Sequence, residues 1–158
     1  MFREETATTG GDVIVLAFDR GRPAQPPSQG VGGPGGSSTS NVRPLVQTTF
    51  NELNGEISPD GRWLAYESNE SGQEEIYVRP FPNVNGGRWQ ISVGGGTRPL
   101  WARSGKEIFY LGGASGAMMS VPVEGGSTFR GGNPTRLFEG RYFESTGRTY
   151  DVSPLEGR

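Results

Sequence analysis

The side chains of this 158-residue sequence that could do acid–base chemistry are mainly carboxylates, because the chain contains no histidine and no cysteine. Two carboxylates can hydrolyse a glycosidic bond when one carries a proton and the other is charged. The candidates for such a pair are Asp60, Glu67, Glu74, Glu75 and Glu107. None stands in a telling local motif, and Glu74-Glu75 lies beside a turn, where we expect a solvated pair. A glycosidase-type enzyme is therefore the alternative function rather than the first one.

Nucleophilic, zinc and phosphate chemistry fit the sequence less well than carboxylate chemistry does. Serine is plentiful, but without histidine it lacks its usual general base, and zinc lacks its commonest ligand. The glycine-rich runs 94–97 and 112–116 resemble phosphate loops in composition only. Neither precedes a Gly-Lys-Ser/Thr sequence, so we interpret both as turns between strands. We expect no cofactor.

The composition indicates an all-β protein with short strands and many turns. The chain has 27 Gly and 12 Pro, and 32% of its residues are hydrophobic. However, 3 Trp, 5 Tyr and 8 Phe are too many for a disordered chain. Frequent turns combined with aromatic residues are typical of sandwiches, barrels and related all-β folds.

Charge and hydropathy argue against nucleic-acid and membrane partners. The net charge is −2, and no long block of one sign occurs. The longest apolar run, 13–18, is too short to span a bilayer. The acidic, polar start MFREETATTGG is unlike a secretory signal. We expect a cytoplasmic protein, or a periplasmic one if the chain is part of a longer protein.

Short strands are predicted along most of the chain. Their sequences are rich in β-branched and aromatic residues or alternate in polarity. They span 12–18, 43–47, 56–58, 63–68, 75–80, 88–92, 117–123 and 135–138. Between the first two lies the Gly/Pro/Ser tract 19–41, which we predict to be a flexible surface loop because it has almost no apolar residue to bury.

The strand pattern repeats. Residues 102–110, ARSGKEIFY, follow the same plan as residues 58–66, SPDGRWLAY, at an offset of 44. Near the end a third copy begins, TYDVSPLEGR, at 149–158. A repeat of about 40–50 residues with four short strands is typical of a β-propeller blade. In the first copy, Pro59-Asp60-Gly61 predicts a tight turn.

The phrase SPDGRWLAY, followed by EIYV at 75–78, resembles the WD40-like repeats of TolB-type β-propellers. Related blades occur in the sensor regions of bacterial receptor-like serine/threonine kinases and in prolyl oligopeptidase propellers. The resemblance implies a non-catalytic module that acts as a protein- or peptide-interaction or sensor scaffold. The second copy departs from the motif at Ala102-Arg103-Ser104-Gly105, and the third keeps Ser153-Pro154 alone. The turns therefore do not point to one shared ligand.

The strand count predicts about three blade equivalents. These are an incomplete first blade in 1–47, a second blade in 48–92, a third in 93–140, and the first strand of a further blade in 149–158. Because the first blade lacks an inner strand and the chain ends with one, two chains could close one six-bladed ring as a homodimer. The other interpretation is a fragment of a larger kinase or peptidase propeller.

Aromatic and arginine side chains dominate binding hot spots, so we predict binding residues among those near the inner strands. They are Arg62, Trp63, Arg98, Trp101 and Arg103. Both tryptophans also fit packing between blades. Glu56 and Asp151, on predicted inner strands, are weak candidates for a channel metal such as Ca²⁺.

The order Ser58, Asp60, Gly61, Trp63 also resembles the Asp-box of sialidase-type propellers. The spacing between its aspartate and glycine differs from that motif. We therefore expect Asp60 to stabilise a turn rather than to bind a sugar.

Overall fold

The computed structural model describes residues 2–5, 10–16, 42–140 and 148–153, and these form an all-β structure of three antiparallel sheets. The predicted all-β class is therefore confirmed. The glycine- and proline-rich tract predicted as a flexible loop, 19–41, lies outside the described residues, as do 154–158 of the third sequence copy.

The first sheet has three strands in the order β1-β2-β3: Phe2–Glu5, Gly11–Leu16 and Val42–Val46. The second has four in chain order: β4 Glu52–Ile57, β5 Trp63–Ser68, β6 Glu75–Pro80 and β7 Trp89–Gln90. A 3₁₀ turn, Val84–Gly86, precedes β7.

The third sheet contains β8 Gly96–Trp101, β9 Glu107–Gly112, β10 Ala117–Glu124, β11 Arg130–Gly131 and β12 Thr135–Phe138. The two last strands are short and both pair with β10. The second and third sheets thus have the same plan, a first strand followed by successive antiparallel neighbours.

The sequence repeat is visible in the backbone. β5 and β9 each follow a tight turn, in which Gly61 and Gly105 have φ of +71° and +69°. In the first turn the Ser58 carbonyl accepts from Gly61 N–H at 2.8 Å, and in the second the Ala102 carbonyl accepts from Gly105 N–H at 2.9 Å. Left-handed φ is accessible to glycine at no steric cost, which explains glycine at both places.

The side chains of the first turn stabilise it, as predicted for Asp60. The Ser58 hydroxyl donates to the Asp60 carboxylate at 2.6 Å and accepts from Trp63 N–H at 3.0 Å. Asp60 also accepts from Arg62 N–H at 3.1 Å. The hydrogen bond from Ser58, with those from Arg62, holds the pKa of Asp60 below its ordinary value.

The core lies between the sheets, and β5 is buried on both of its faces. Trp63 and Ala65 face the third sheet, whereas Leu64 and Tyr66 face the first. This is the alternation predicted for 63–68, and it follows from the two-residue period of a strand. The three sheets therefore pack face to face in chain order.

Several strand predictions differ from the structure; the predicted strand 88–92, for example, is limited to Trp89–Gln90. β4 begins at Glu52 rather than at 56, because Asn54 takes φ of +49° in a β-bulge that joins the two halves of the strand. Residues 149–153 form no strand.

Candidate functional site

A cleft of about 670 Å³ lies at one end of the second and third sheets. It lies where β6 and β8 begin and where β9 turns into β10. We name it the glycine cleft. Its lining residues are Gln73, Glu74, Gly94, Gly95, Gly96, Thr97, Arg98, Leu111, Gly113, Ala114, Ser115, Gly116 and Gly140. A volume of this size is in the range of ligand-binding pockets.

The cleft exists because glycine replaces bulkier residues where the second and third sheets meet. A Cβ atom on Gly95 would lie 3.2 Å from the Cα of Gly113, and one on Gly96 would lie 2.5 Å from Ser92 Oγ. At the equivalent positions of the preceding junction the chain has Asn51 and Glu52. There the side chains occupy the space: Asn51 Oδ1 accepts from Gly11 N–H at 3.0 Å, and Glu52 is fully buried.

A buried carboxylate holds the loop that forms one wall of the cleft. Glu75, 1% exposed, accepts hydrogen bonds from Gly95 N–H at 2.9 Å, from Gln73 Nε2 at 2.7 Å and from the Ser92 hydroxyl. Ser92 in turn accepts from Ile76 N–H at 2.7 Å. Glu75 is therefore not a solvated residue, and the expectation of a solvated Glu74-Glu75 pair is wrong for it. The hydrogen bonds that Ser92 and Gly95 donate offset the desolvation of this carboxylate.

Glu67 joins β4 and β8, the first strands of the second and third sheets. Its Oε2 accepts from Arg98 N–H at 2.7 Å, and the Asn54 side chain hydrogen bonds the same carboxylate. Arg98 and Asn54 are equivalent bulge residues, with φ of +56° and +49°. Burial raises the pKa of Glu67, and the two donors oppose that rise.

Glu74 supplies the carboxylate of the cleft wall. Its Oε2 is buried and accepts no hydrogen bond from any described residue. Burial raises the pKa of Glu74, and the negative charge of Glu67 raises it further. Its backbone carbonyl accepts from Gly96 N–H at 2.8 Å, which fixes β6 against the start of β8.

The two predicted binding tryptophans lie in the core between the second and third sheets. Trp63 and Trp101 are 6% and 4% exposed. Trp63 makes edge contacts with Trp89 and Phe129, with ring centroids 5.7 Å and 5.4 Å away. Trp101 donates from Nε1 to the Glu56 carbonyl at 3.2 Å. Both indoles therefore contribute to packing, and neither presents its face to solvent.

The three predicted binding arginines are split between the two ends of the sheets. Arg98 lines the glycine cleft. Arg62 and Arg103 are exposed on the turns at the opposite end, which approach each other at Pro59 and Gly105. Arg62 pairs with Asp60 at 2.7 Å and donates to the Gly126 carbonyl at 3.1 Å. The structure thus does not unite the predicted set in one site.

The weak metal candidates, Glu56 and Asp151, lie close enough for their charges to interact. Glu56 forms an ion pair with Arg148, and burial raises the pKa of its carboxyl despite that partner. No group of three or more potential metal ligands occurs in the described part of the chain. Within that part of the chain, the two carboxylates are joined by no third acidic ligand of the kind that Ca²⁺ sites usually contain.

Sequence reasoning missed the grouping of Gln73, Glu74 and the two glycine-rich runs. Residues 113–116 form a turn, as interpreted from the sequence, whereas Gly96 and Thr97 of the other run already belong to β8. Their proximity depends on the stacking of two sheets. The sequence repeat was the available signal. Asn51 N–H donates to Asn69 Oδ1 at 3.0 Å, so these two residues are in contact. Gly95 and Gly113 lie 44 residues later, at the equivalent positions, and could therefore have been expected to meet as well.

Among the residues with described positions, no helix has the length and apolar character needed to cross a bilayer. A comparison of the sequence with protein-family models finds no match, and a comparison with curated proteins finds none either. The function must therefore be argued from the geometry of the sheets and of the glycine cleft.

Proposed function

We propose that the chain is a non-catalytic β-propeller module, similar to the TolB type, that binds a protein or peptide partner at the glycine cleft. Propellers commonly bind their partners through the loops at one end of the blades. The glycine cleft lies among such loops, and it combines hydrogen-bonding and charged groups with the apolar side chains of Leu111 and Ala114.

The propeller arrangement rests on how the sheets repeat. Consecutive sheets place their inner strands, β4 and β8, side by side, and Trp101 of one reaches the Glu56 carbonyl of the other. Tyr150 makes an analogous contact one step further on, where its hydroxyl donates to the carbonyls of Arg98 and Phe109. This contact supports our proposal that residues 148–153 act as the inner strand of a further blade.

Two chains would then complete one ring. The first sheet starts with β1, whose free edge has no strand partner among the described residues, and residues 148–153 form no strand. Unpaired edges of this kind favour strand addition. We propose that residues 148–153 of each copy pair with β1 of the other, which closes a six-bladed homodimer with two equivalent seams.

Light scattering after size-exclusion chromatography tests this closure. We expect a mass twice the monomer mass of 17.0 kDa, stable on dilution, and a monomer after Tyr150→Ala together with Arg148→Ala. These changes remove the hydrogen bond from Tyr150 to β8 and the ion pair from Arg148 to Glu56 on β4. Arg103→Ala, at an exposed turn, is the matched control. A folded wild-type monomer at all concentrations would contradict the homodimer.

The observation that carries the binding function is the composition of the cleft wall. Glycine backbone and Arg98 form much of it, and Glu74 is the one carboxylate among its described lining residues. The alternative, a glycosidase, needs two carboxylates facing the scissile bond. Glu67, the nearest partner for Glu74, lies behind the wall and is occupied by Arg98 N–H. The geometry therefore favours binding over hydrolysis.

Selection from a displayed library of random dodecapeptides tests the binding function. We expect the wild-type protein to enrich peptides whose affinity falls at least about tenfold for Ala114→Trp, because the indole would fill the cleft without disturbing the core. Ser127→Trp is the control variant, because Ser127 lies on the exposed loop that follows β10, at the end opposite to the cleft. Failure to enrich any peptide, or equal binding to Ala114→Trp, would contradict the proposal.

A further inference from the structure

The sequence contains two asparagine–glycine pairs, Asn54-Gly55 and Asn85-Gly86. In such a pair the backbone nitrogen of glycine can attack the side-chain amide carbon of asparagine, because glycine has no Cβ atom to hinder the approach. The new C–N bond closes a succinimide ring, and the side-chain amide leaves as ammonia with the proton that the glycine nitrogen gives up. Water then opens the ring to aspartate or isoaspartate. The reaction requires an asparagine side chain that is free to fold back on its own backbone.

The first pair is held inside the second sheet. The side chain of Asn54 hydrogen bonds the Glu67 carboxylate, and its backbone forms the bulge of β4 with φ of +49°. On both sides of this bulge β4 pairs with β5. To bring Gly55 N to the side-chain carbon, the protein would have to break the bond to Glu67 and separate the two strands. Such an opening approaches the free energy of global unfolding.

The second pair lies in the 3₁₀ turn before β7, where both of its residues are exposed. Among the described residues, Asn85 has no hydrogen-bond partner for its side chain. Gly86 N–H donates to the Asn83 carbonyl at 3.0 Å, and the Asn83 side chain does not cap the turn. Hydrogen bonds of 3₁₀ turns have poor geometry, so this turn can open and release the glycine nitrogen without disturbing a strand.

We propose that Asn85-Gly86 is a site of spontaneous deamidation in the folded protein, and that the sheet protects Asn54-Gly55. The product adds one negative charge to a chain of net charge −2. Isoaspartate also lengthens the main chain directly after Val84, which is packed in the core between the first and second sheets and accepts from Arg79 Nη1 at 3.1 Å. The isoaspartate form should therefore unfold at a lower temperature than the unmodified protein.

The test follows both asparagines in one sample. The folded wild-type protein is incubated in mildly alkaline buffer and digested, and the peptides that contain residues 54 and 85 are quantified by mass spectrometry. We expect Asn85 to react at least about tenfold faster than Asn54, because its turn opens at a lower free energy than β4 does. In concentrated urea, where the sheet no longer protects Asn54, we expect comparable rates.

Two variants of the turn provide the matched comparison. Gly86→Ala should slow the reaction at Asn85, because the added methyl group hinders the attack. Its Cβ atom would lie 3.4 Å from the nearest described atom, Pro80 Cγ, so the turn has room for it. Asn83→Gln changes an exposed residue of the same turn that precedes valine rather than glycine, and it should leave the rate unchanged.

Each outcome decides one part of the proposal. Equal rates at Asn54 and Asn85 in the folded protein, or a stable Asn85, overturn the assignment of the site. A difference that persists in concentrated urea shows that local sequence causes it and overturns protection by the sheet. The deamidated fraction can be separated by its added charge on an anion exchanger. If its isoaspartate form unfolds at the temperature of the unmodified protein, the effect on Val84 is overturned.

Discussion

Replacing Trp63 by alanine is expected to lower the free energy of unfolding by about 3–5 kcal/mol. The indole is 6% exposed between the second and third sheets, and its edges meet Trp89 and Phe129. Those two rings also pack on each other, with centroids 5.5 Å apart, so they cannot collapse freely into the space left behind. Urea unfolding followed by far-ultraviolet circular dichroism would measure the loss.

Two variants sharpen this prediction. Trp63→Phe keeps an aromatic ring in the cluster and should cost clearly less than the alanine change. Val93→Ala, at a side chain that is 88% exposed, should change the stability by less than about 0.5 kcal/mol. If Trp63→Ala instead retained full stability while peptide binding was lost, the indole would be a binding residue, and the packing described here would not be its main role.

The elements were predictable where local chemistry decides them. The bounds of β5, β6 and β12 agree with the sequence prediction, because alternation and turn residues define them. β4 was predicted too short. Asn54-Gly55 is a poor strand sequence by propensity, yet Asn tolerates the positive φ that the bulge requires. β4 and β8 contain equivalent bulges, at Asn54 and Arg98. This correspondence becomes visible in the sequence only when the two repeats are aligned at an offset of 44.

The glycine cleft could not be predicted in the same way, because its parts come from different sheets. Glycine runs 94–97 and 112–116 signal turns wherever they occur. They form a cleft because they face each other without side chains. The carboxylate beside them, Glu74, comes from the second sheet, so its proximity depends on how the sheets pack. Likewise, Trp63 and Arg62 are sequence neighbours, but the strand period directs one into the core and leaves the other at an exposed turn.

Glu75→Ala is expected to lower the free energy of unfolding by about 3 kcal/mol or more. The carboxylate accepts from Gly95 N–H, Gln73 Nε2 and the Ser92 hydroxyl, and its removal leaves the buried Ser92 hydroxyl and the partly buried Gly95 N–H without this acceptor. Ser92 is fully buried beneath Gly96, so water cannot reach its hydroxyl without moving the strand. Urea unfolding measures the cost, and the neighbouring Glu74→Gln should show little of it.

Glu75→Gln separates the hydrogen-bond pattern from the charge. Its amide oxygen can accept from Gly95 N–H and its NH₂ can donate to Ser92 Oγ, so most of the network survives and the cost should be about 1 kcal/mol. A glutamine variant as unstable as the alanine one would mean that the charge itself is required. Because the Gly95 contact holds one wall of the glycine cleft, Glu75→Ala should also weaken peptide binding where the protein remains folded, whereas Glu75→Gln should preserve it. Loss of stability without loss of peptide binding would show that the loop keeps its shape without this carboxylate.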